Sequence, residues 1–160
     1  MQRLLAFLFV VGICHAQIPS RHHTYTVTRE HTLSASAGVV TIQQPASSSN
    51  TVEVRWVKLH SNIALTVELE RDGTAATATA ETEVGTNTNA PTQAAVAWYD
   101  SDVGNGTTIE TIDMVGDVTY AIDLTAYRVY LIGDGTGVNF SVRTASGTGT
   151  VRITVCWREW

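Results

Sequence analysis

The chain has 160 residues and a formal net charge of −5, with ten Lys plus Arg against fifteen Asp plus Glu, and 44% of its positions are hydrophobic. That length suits one domain around one core, and the hydrophobic share excludes a disordered chain. The acidic balance excludes a phosphate-backbone partner, which needs clustered cations, so no nucleic-acid partner is expected.

Thr fills 24 positions, whereas Lys occurs once, at Lys58. A chain rich in Thr and Val and poor in long helix-forming side chains predicts pleated strands, hence an all-β fold.

Residues 1–16 read as an address. Met1, Gln2 and Arg3 make a short basic start, residues 4–13 are an almost unbroken apolar run, and Cys14, His15 and Ala16 form a small-residue exit. This is the three-part plan of a cleavable signal peptide, with cleavage after Ala16 and a secreted or cell-surface product. The apolar run is half of the roughly 20 residues a spanning helix needs, so no stable membrane span is expected. Acylation at Cys14 is the alternative, and the bulky Ile13 before it fits such processing poorly. Cleavage leaves a chain of net charge −6 in which Cys156 has no partner for an intrachain disulfide.

Residues 17–24, with Pro19, His22 and His23, are predicted to be an exposed arm, and residues 25–160 one sandwich domain. From Tyr25 the chain alternates Thr with Tyr and Val, as a half-buried strand does. A short run over residues 39–43 stops at Pro45 and the Ser47 to Asn50 turn. Next, Val52, Val54 and Trp56 share one parity, but the apolar residues then move to Val57 and Leu59. A parity switch within one run predicts a β-bulge near Trp56. Leu65, Val67 and Leu69 alternate with Thr66, Glu68 and Glu70 before the turn signal Asp72, Gly73.

Residues 74–92 carry almost no bulky side chain and read as a long surface excursion that can include one edge strand. An apolar segment over residues 94–99 comes next, then a Gly-rich loop, then a strand over residues 107–115. Val118, Tyr120 and Ile122 share a face, as do Tyr127, Val129 and Leu131. Val138, Phe140 and Val142 alternate, and Val151, Ile153, Val155 and Trp157 close the chain on one face. Eight or nine strands with no helical periodicity predict a two-sheet antiparallel β-sandwich, jelly roll preferred over immunoglobulin-like because the Cys, Trp, Cys spacing is missing. The expected core is Val54, Trp56, Leu65, Val67, Leu69, Val129, Leu131, Phe140, Val142, Ile153 and Val155.

The order is a Thr-rich lead strand, strands over 52–60 and 65–71, and a small-residue excursion; Trp98 and Tyr99 then precede a Gly-rich loop, and a terminal strand runs over 151–159. In that order the chain resembles small single jelly-roll structural proteins of the bacteriophage head and decoration type and related bacterial proteins. The likeness covers most of residues 24–159 and rests on strand order and texture, without a diagnostic motif. It implies an assembly role and brings no catalytic residue. The signal peptide departs from it, since a virion protein assembled in the cytoplasm needs none.

Candidate chemistry is sparse. His22, His23 and His31 could gather a metal ion, but such a site needs three or four converging groups and two of these three lie in the expected arm, so no metal is expected there. Asp100, Asp102 and Asn105, with Glu110 and Asp113 nearby, offer hard oxygens of the kind calcium takes, but Gly104 stands where a further ligand belongs, and a hydrogen-bonded turn is the plainer reading. Trp98 and Tyr99 beside Asp100, Asp102 and Asn105 would suit a sugar ring, whose apolar face stacks on aromatics while carboxylates and amides take its hydroxyls. No nucleophile elbow is present, and Glu68 and Glu70 lie on the outer face of one strand; neither an enzyme nor a cofactor is expected.

The long outer rows of Thr and the lone Lys give little protection against edge-to-edge pairing. The expected function is therefore that of an exported, non-enzymatic, self-associating structural protein, coat-like or extracellular, with a homo-oligomer as product. The alternative is a secreted carbohydrate-binding module built on residues 98–106. Alternation places Cys156, Arg152 and Thr154 on the outward side of the last strand, which predicts that they pack against a neighbouring subunit or a covering segment.

Overall fold

The computed structural model describes residues 23–33, 37–44, 50–73, 79–80, 84–85, 95–101, 106–132, 138–145 and 147–160. These form twelve strands: β1 (His23–Thr32), β2 (Ala37–Gln43), β3 (Val52–Ser61), β4 (Leu65–Arg71), β5 (Thr79–Ala80), β6 (Val84–Gly85), β7 (Val96–Ser101), β8 (Thr107–Met114), β9 (Thr119–Asp123), β10 (Tyr130–Leu131), β11 (Asn139–Thr144) and β12 (Thr150–Glu159).

Two antiparallel sheets result. In sheet A the order is β10-β3-β12-β1-β6, with β9 also on β3; in sheet B it is β5-β7-β2-β11-β4-β8. The first four strands pair in sequence with the later ones: β1 with β12, β2 with β11, β3 with β9 and β10, β4 with β8. Such a ribbon of antiparallel pairs, rolled so that alternate pairs fall in opposite sheets, is jelly-roll connectivity. The β12–β3 and β11–β4 ladders close the roll.

The core lies between the sheets because period-two alternation turns one side of each strand inward. Tyr25, Val27, Val54, Val57, Leu59, Ile153, Val155 and Trp157 enter from sheet A, and Val40, Ile42, Val67, Leu69, Phe140 and Val142 from sheet B; all are buried in one cluster. The Tyr25 and Trp157 rings stack with centroids 5.8 Å apart. Strand β11 departs from simple alternation, since Asn139 and Ser141 are buried along with Phe140 and Val142.

Four expectations need correction. Trp56 is not core: it is 37% exposed. The bulge is where the parity switch placed it, because pairing passes from Cys156↔Trp56 to Trp157↔Val54 and leaves Arg55 as the extra residue. One extra residue reverses the parity of the rest of the strand, so Trp56 goes outward and Val57 inward. Second, residues 125–128 form a turn, with Arg128 at φ 53, so only Tyr130–Leu131 is strand and Tyr127 is exposed, though Val129 and Leu131 are buried. Third, β1 begins at His23, opposite Glu159, so the last two residues of the expected arm belong to the sheet. Fourth, Val118 lies in the turn before β9 and is exposed, while Tyr120 and Ile122 pack against the core. Leu65 is half-buried against the core edge. Within the small-residue excursion, β5 lies on sheet B and β6 on sheet A.

Candidate interaction surface

The outer face of sheet A carries the most concentrated chemistry among the described residues. The bulge at Arg55 brings Trp56 to this face, where a groove of ≈ 340 Å³ opens between β3 and β9. Arg55, Trp56 and Lys58 line it from β3, Ala121, Ile122 and Asp123 from β9, and Thr125 from the turn after β9. The amide N–H of Thr125 donates to Asp123 Oδ1 at 2.8 Å. The Thr125 side-chain and backbone hydrogen bonds, with the Arg55 charge, hold the Asp123 carboxyl below its usual range, so it is a carboxylate at neutral pH.

Next to the groove, Glu53 is buried and takes two guanidinium groups. Arg55 Nη1 donates to its Oε1 at 3.0 Å and Arg158 Nη2 to its Oε2 at 2.6 Å. Two partners are what allow a carboxylate to be buried here, since an unpaired charge would carry a large desolvation penalty. The Arg158 guanidinium lies over the Trp160 ring, 4.9 Å from its centroid, and Tyr130 meets the same ring edge-on at 6.1 Å. Both contacts suit the ring quadrupole. Trp56, Tyr130 and Trp160 remain 37%, 43% and 40% exposed, so this face presents aromatic surface and cations together.

The structure treats the other candidates differently. Trp98, Tyr99 and Asp100 lie in β7, with Trp98 paired to Thr41 and Tyr99 to Val40; Asp102 and Asn105 lie outside the described residues. Glu110 accepts from the Tyr127 hydroxyl and Asp113 from the Thr66 hydroxyl, so each is engaged locally. His23 and His31 stand eight residues apart on one strand, roughly 27 Å, too far to share a metal ion, and His22 lies outside the described residues.

Arg152 forms a two-nitrogen contact with Glu30, at 2.6 Å and 3.1 Å, and Thr154 Oγ1 lies 2.8 Å from Thr28 Oγ1. Cys156 is free and buried, although it stands outside the core cluster; its cross-strand neighbours are Thr26 and Trp56. Burial pushes its thiol up to about 11, with Arg55 acting in the opposite sense. The thiolate is the reacting species, so at pH 8 little of it exists. With Cys14 replaced by Ser, native protein is expected to react slowly with a soluble thiol reagent at pH 8 and faster as pH rises toward 11, and unfolded protein to react at once. Rapid modification of the folded chain at pH 8 would show that the thiol is open to solvent.

Sequence reasoning misses this groove because it puts Trp56 in the core. The signal is present: Val52 and Val54 before the bulge and Val57 and Leu59 after it all face inward only when the parity changes ahead of Trp56, which turns Trp56 out. The burial of Glu53 has no such signal. No family model matches the chain, and neither curated proteins nor solved structures give a match.

Proposed function

We propose that the chain is an exported, non-enzymatic structural protein that associates with copies of itself through the outer face of sheet A. The observation that carries this reading is the gathering of Trp56, Tyr130 and Trp160 with Arg55, Lys58 and Arg158 on one face of a chain whose net charge is −5. Exposed large aromatics and Arg are the residue types enriched where proteins meet. Arg55, Lys58 and Arg158 against Glu53 and Asp123 leave this face slightly positive on an acidic molecule, the sign that like-charged copies need in order to approach. The jelly-roll order supports the resemblance to small structural proteins of the bacteriophage head type. The apolar leader of residues 4–13 supports export and a secreted or cell-surface, coat-like role.

Light scattering of the purified chain, over a range of concentration and salt, tests the proposal. The expected result is an oligomer that weakens with salt. Trp56→Ser is expected to weaken it further; since Trp56 is 37% exposed and the rest of its side chain is covered, a loss of stability accompanies the change, and circular dichroism checks that the variant is still folded where its mass is measured. A monomer at every concentration overturns the reading. A monomer retained on a glycan array would favour the carbohydrate alternative built on Trp98 and Tyr99.

A further inference from the structure

Strand β9 pairs with β3 along one side and, among the described residues, with nothing along the other. Its sequence, TYAID, has no Lys, no Pro and no bulge, and carries one charge, Asp123, at its end; Lys, Pro, bulges and charges are the features that usually block an open edge. Thr119, Ala121 and Asp123 are all exposed along it. The groove beside Trp56 lies over the second half of this strand, at Ala121, Ile122 and Asp123.

The turn at residues 115–118, just before β9, has the complementary character. Val115 is 61% exposed and Val118 43%, and between them Asp117 is exposed with φ 61. The turn is firmly held. The Asp117 amide donates to the Ser61 carbonyl at 2.7 Å, and Gly116 sits so close to the loop before β4 that a Cβ there would lie 3.1 Å from the Ile63 backbone. It is thus a rigid projection carrying two valines and a carboxylate, while the groove is lined by Trp56, Ala121 and Ile122 and carries two cations, Arg55 and Lys58, against one carboxylate, Asp123.

Within one chain these two features sit at opposite ends of β9 and cannot meet. An antiparallel pairing of two β9 edges brings them together. We propose that two copies of the chain dimerise through the open edge of β9, about a two-fold axis at Ala121. The inference rests on the self-association reading above and names its interface. In this register Ala121 faces its own copy, and Asp123 faces the Thr119 hydroxyl of the second copy. The valine turn of each chain arrives at the Thr125 end of the other's groove, with Asp117 toward Arg55. Every contact off the axis occurs twice, as an isologous interface requires, and the two β3–β9 ladders join into one continuous sheet.

Single-cysteine substitution tests this directly. Residues facing one another across an antiparallel pair have Cα atoms about 4.5–5.5 Å apart, within disulfide reach. The full chain, with Cys14→Ser, is prepared as Ala121→Cys, Thr119→Cys and Asp123→Cys, three exposed positions where the substitution leaves the core untouched, with the native Cys156 buried. Each is oxidised mildly and run without reductant, and the mass of the unsubstituted chain is measured by light scattering. The expected result is a dimeric or larger mass and a reducible dimer band for Ala121→Cys alone. An oligomeric mass with no cross-link at Ala121, whether or not Thr119→Cys or Asp123→Cys cross-links, overturns this interface and leaves self-association standing. A monomeric mass overturns both.

Discussion

Phe140→Ala is expected to destabilise the chain by about 3–5 kcal/mol, seen as a lower denaturant midpoint at unchanged slope. Phe140 has 0% exposure and lies on β11 between Ile42 of β2 and Arg71 of β4. The cost of such a truncation depends on how far the surroundings can collapse into the space left. Here they cannot move far. The preceding residue clamps the strand to the end of β4: Asn139 Nδ2 donates to the Gly73 carbonyl at 2.7 Å, and the Gly73 amide donates back to Asn139 Oδ1 at 3.2 Å. Residues 139–142 are buried throughout, so β11 is held from both sides. A loss below about 1 kcal/mol would mean that the core closes over the gap and that the clamp is not rigid.

The second large effect belongs to a polar residue. Glu159, 4% exposed, accepts from the Ala95 amide and from Trp157 Nε1, both at 3.0 Å and both at the same Oε1. Glu159→Ala removes the shared acceptor and leaves two buried donors without a partner, at about 1–3 kcal/mol each, so a total loss of about 2–5 kcal/mol is expected. Glu159→Gln keeps a carbonyl oxygen at that position and should cost clearly less. A second readout separates charge from hydrogen bonding. Burial pushes the Tyr25 phenol above its usual value, and the Glu159 charge adds to that rise. Both substitutions remove the charge, so ultraviolet titration should show Tyr25 ionising at lower pH in each variant than in the parent. Equal destabilisation by Ala and Gln would overturn the shared-acceptor role, and an unmoved Tyr25 would overturn the electrostatic one.

These two residues mark where reading from residues succeeds and where it stops. Phe140 is evident from Val138, Phe140 and Val142 alone, because period-two alternation has a single meaning in a strand: one side is wet and the other dry. The same logic gave the inward set Val151, Ile153, Val155 and Trp157 and located the bulge near Trp56. Glu159 gives no such sign. A carboxylate next to the chain end reads as solvated until the fold brings the Ala95 amide to it from 64 positions away. The candidate surface behaves in the same way. Trp56, Tyr130 and Trp160 come from three separate segments, and no local pattern says that they share a face.

Local pattern therefore determined most of the long strands, the bulge and the two-sheet class, which depend on neighbours two to four positions apart, but not the side of Trp56, the turn over residues 125–128 or the short β5 and β6. The pairing order, which makes β3 a partner of both β9 and β12 and brings Arg55 and Arg158 onto one carboxylate, was decided only by the tertiary structure. The physical reason is range. Alternation is enforced residue by residue through backbone geometry, whereas strand neighbours and buried charges are chosen by packing between segments whose separation along the chain leaves no mark on either one's composition.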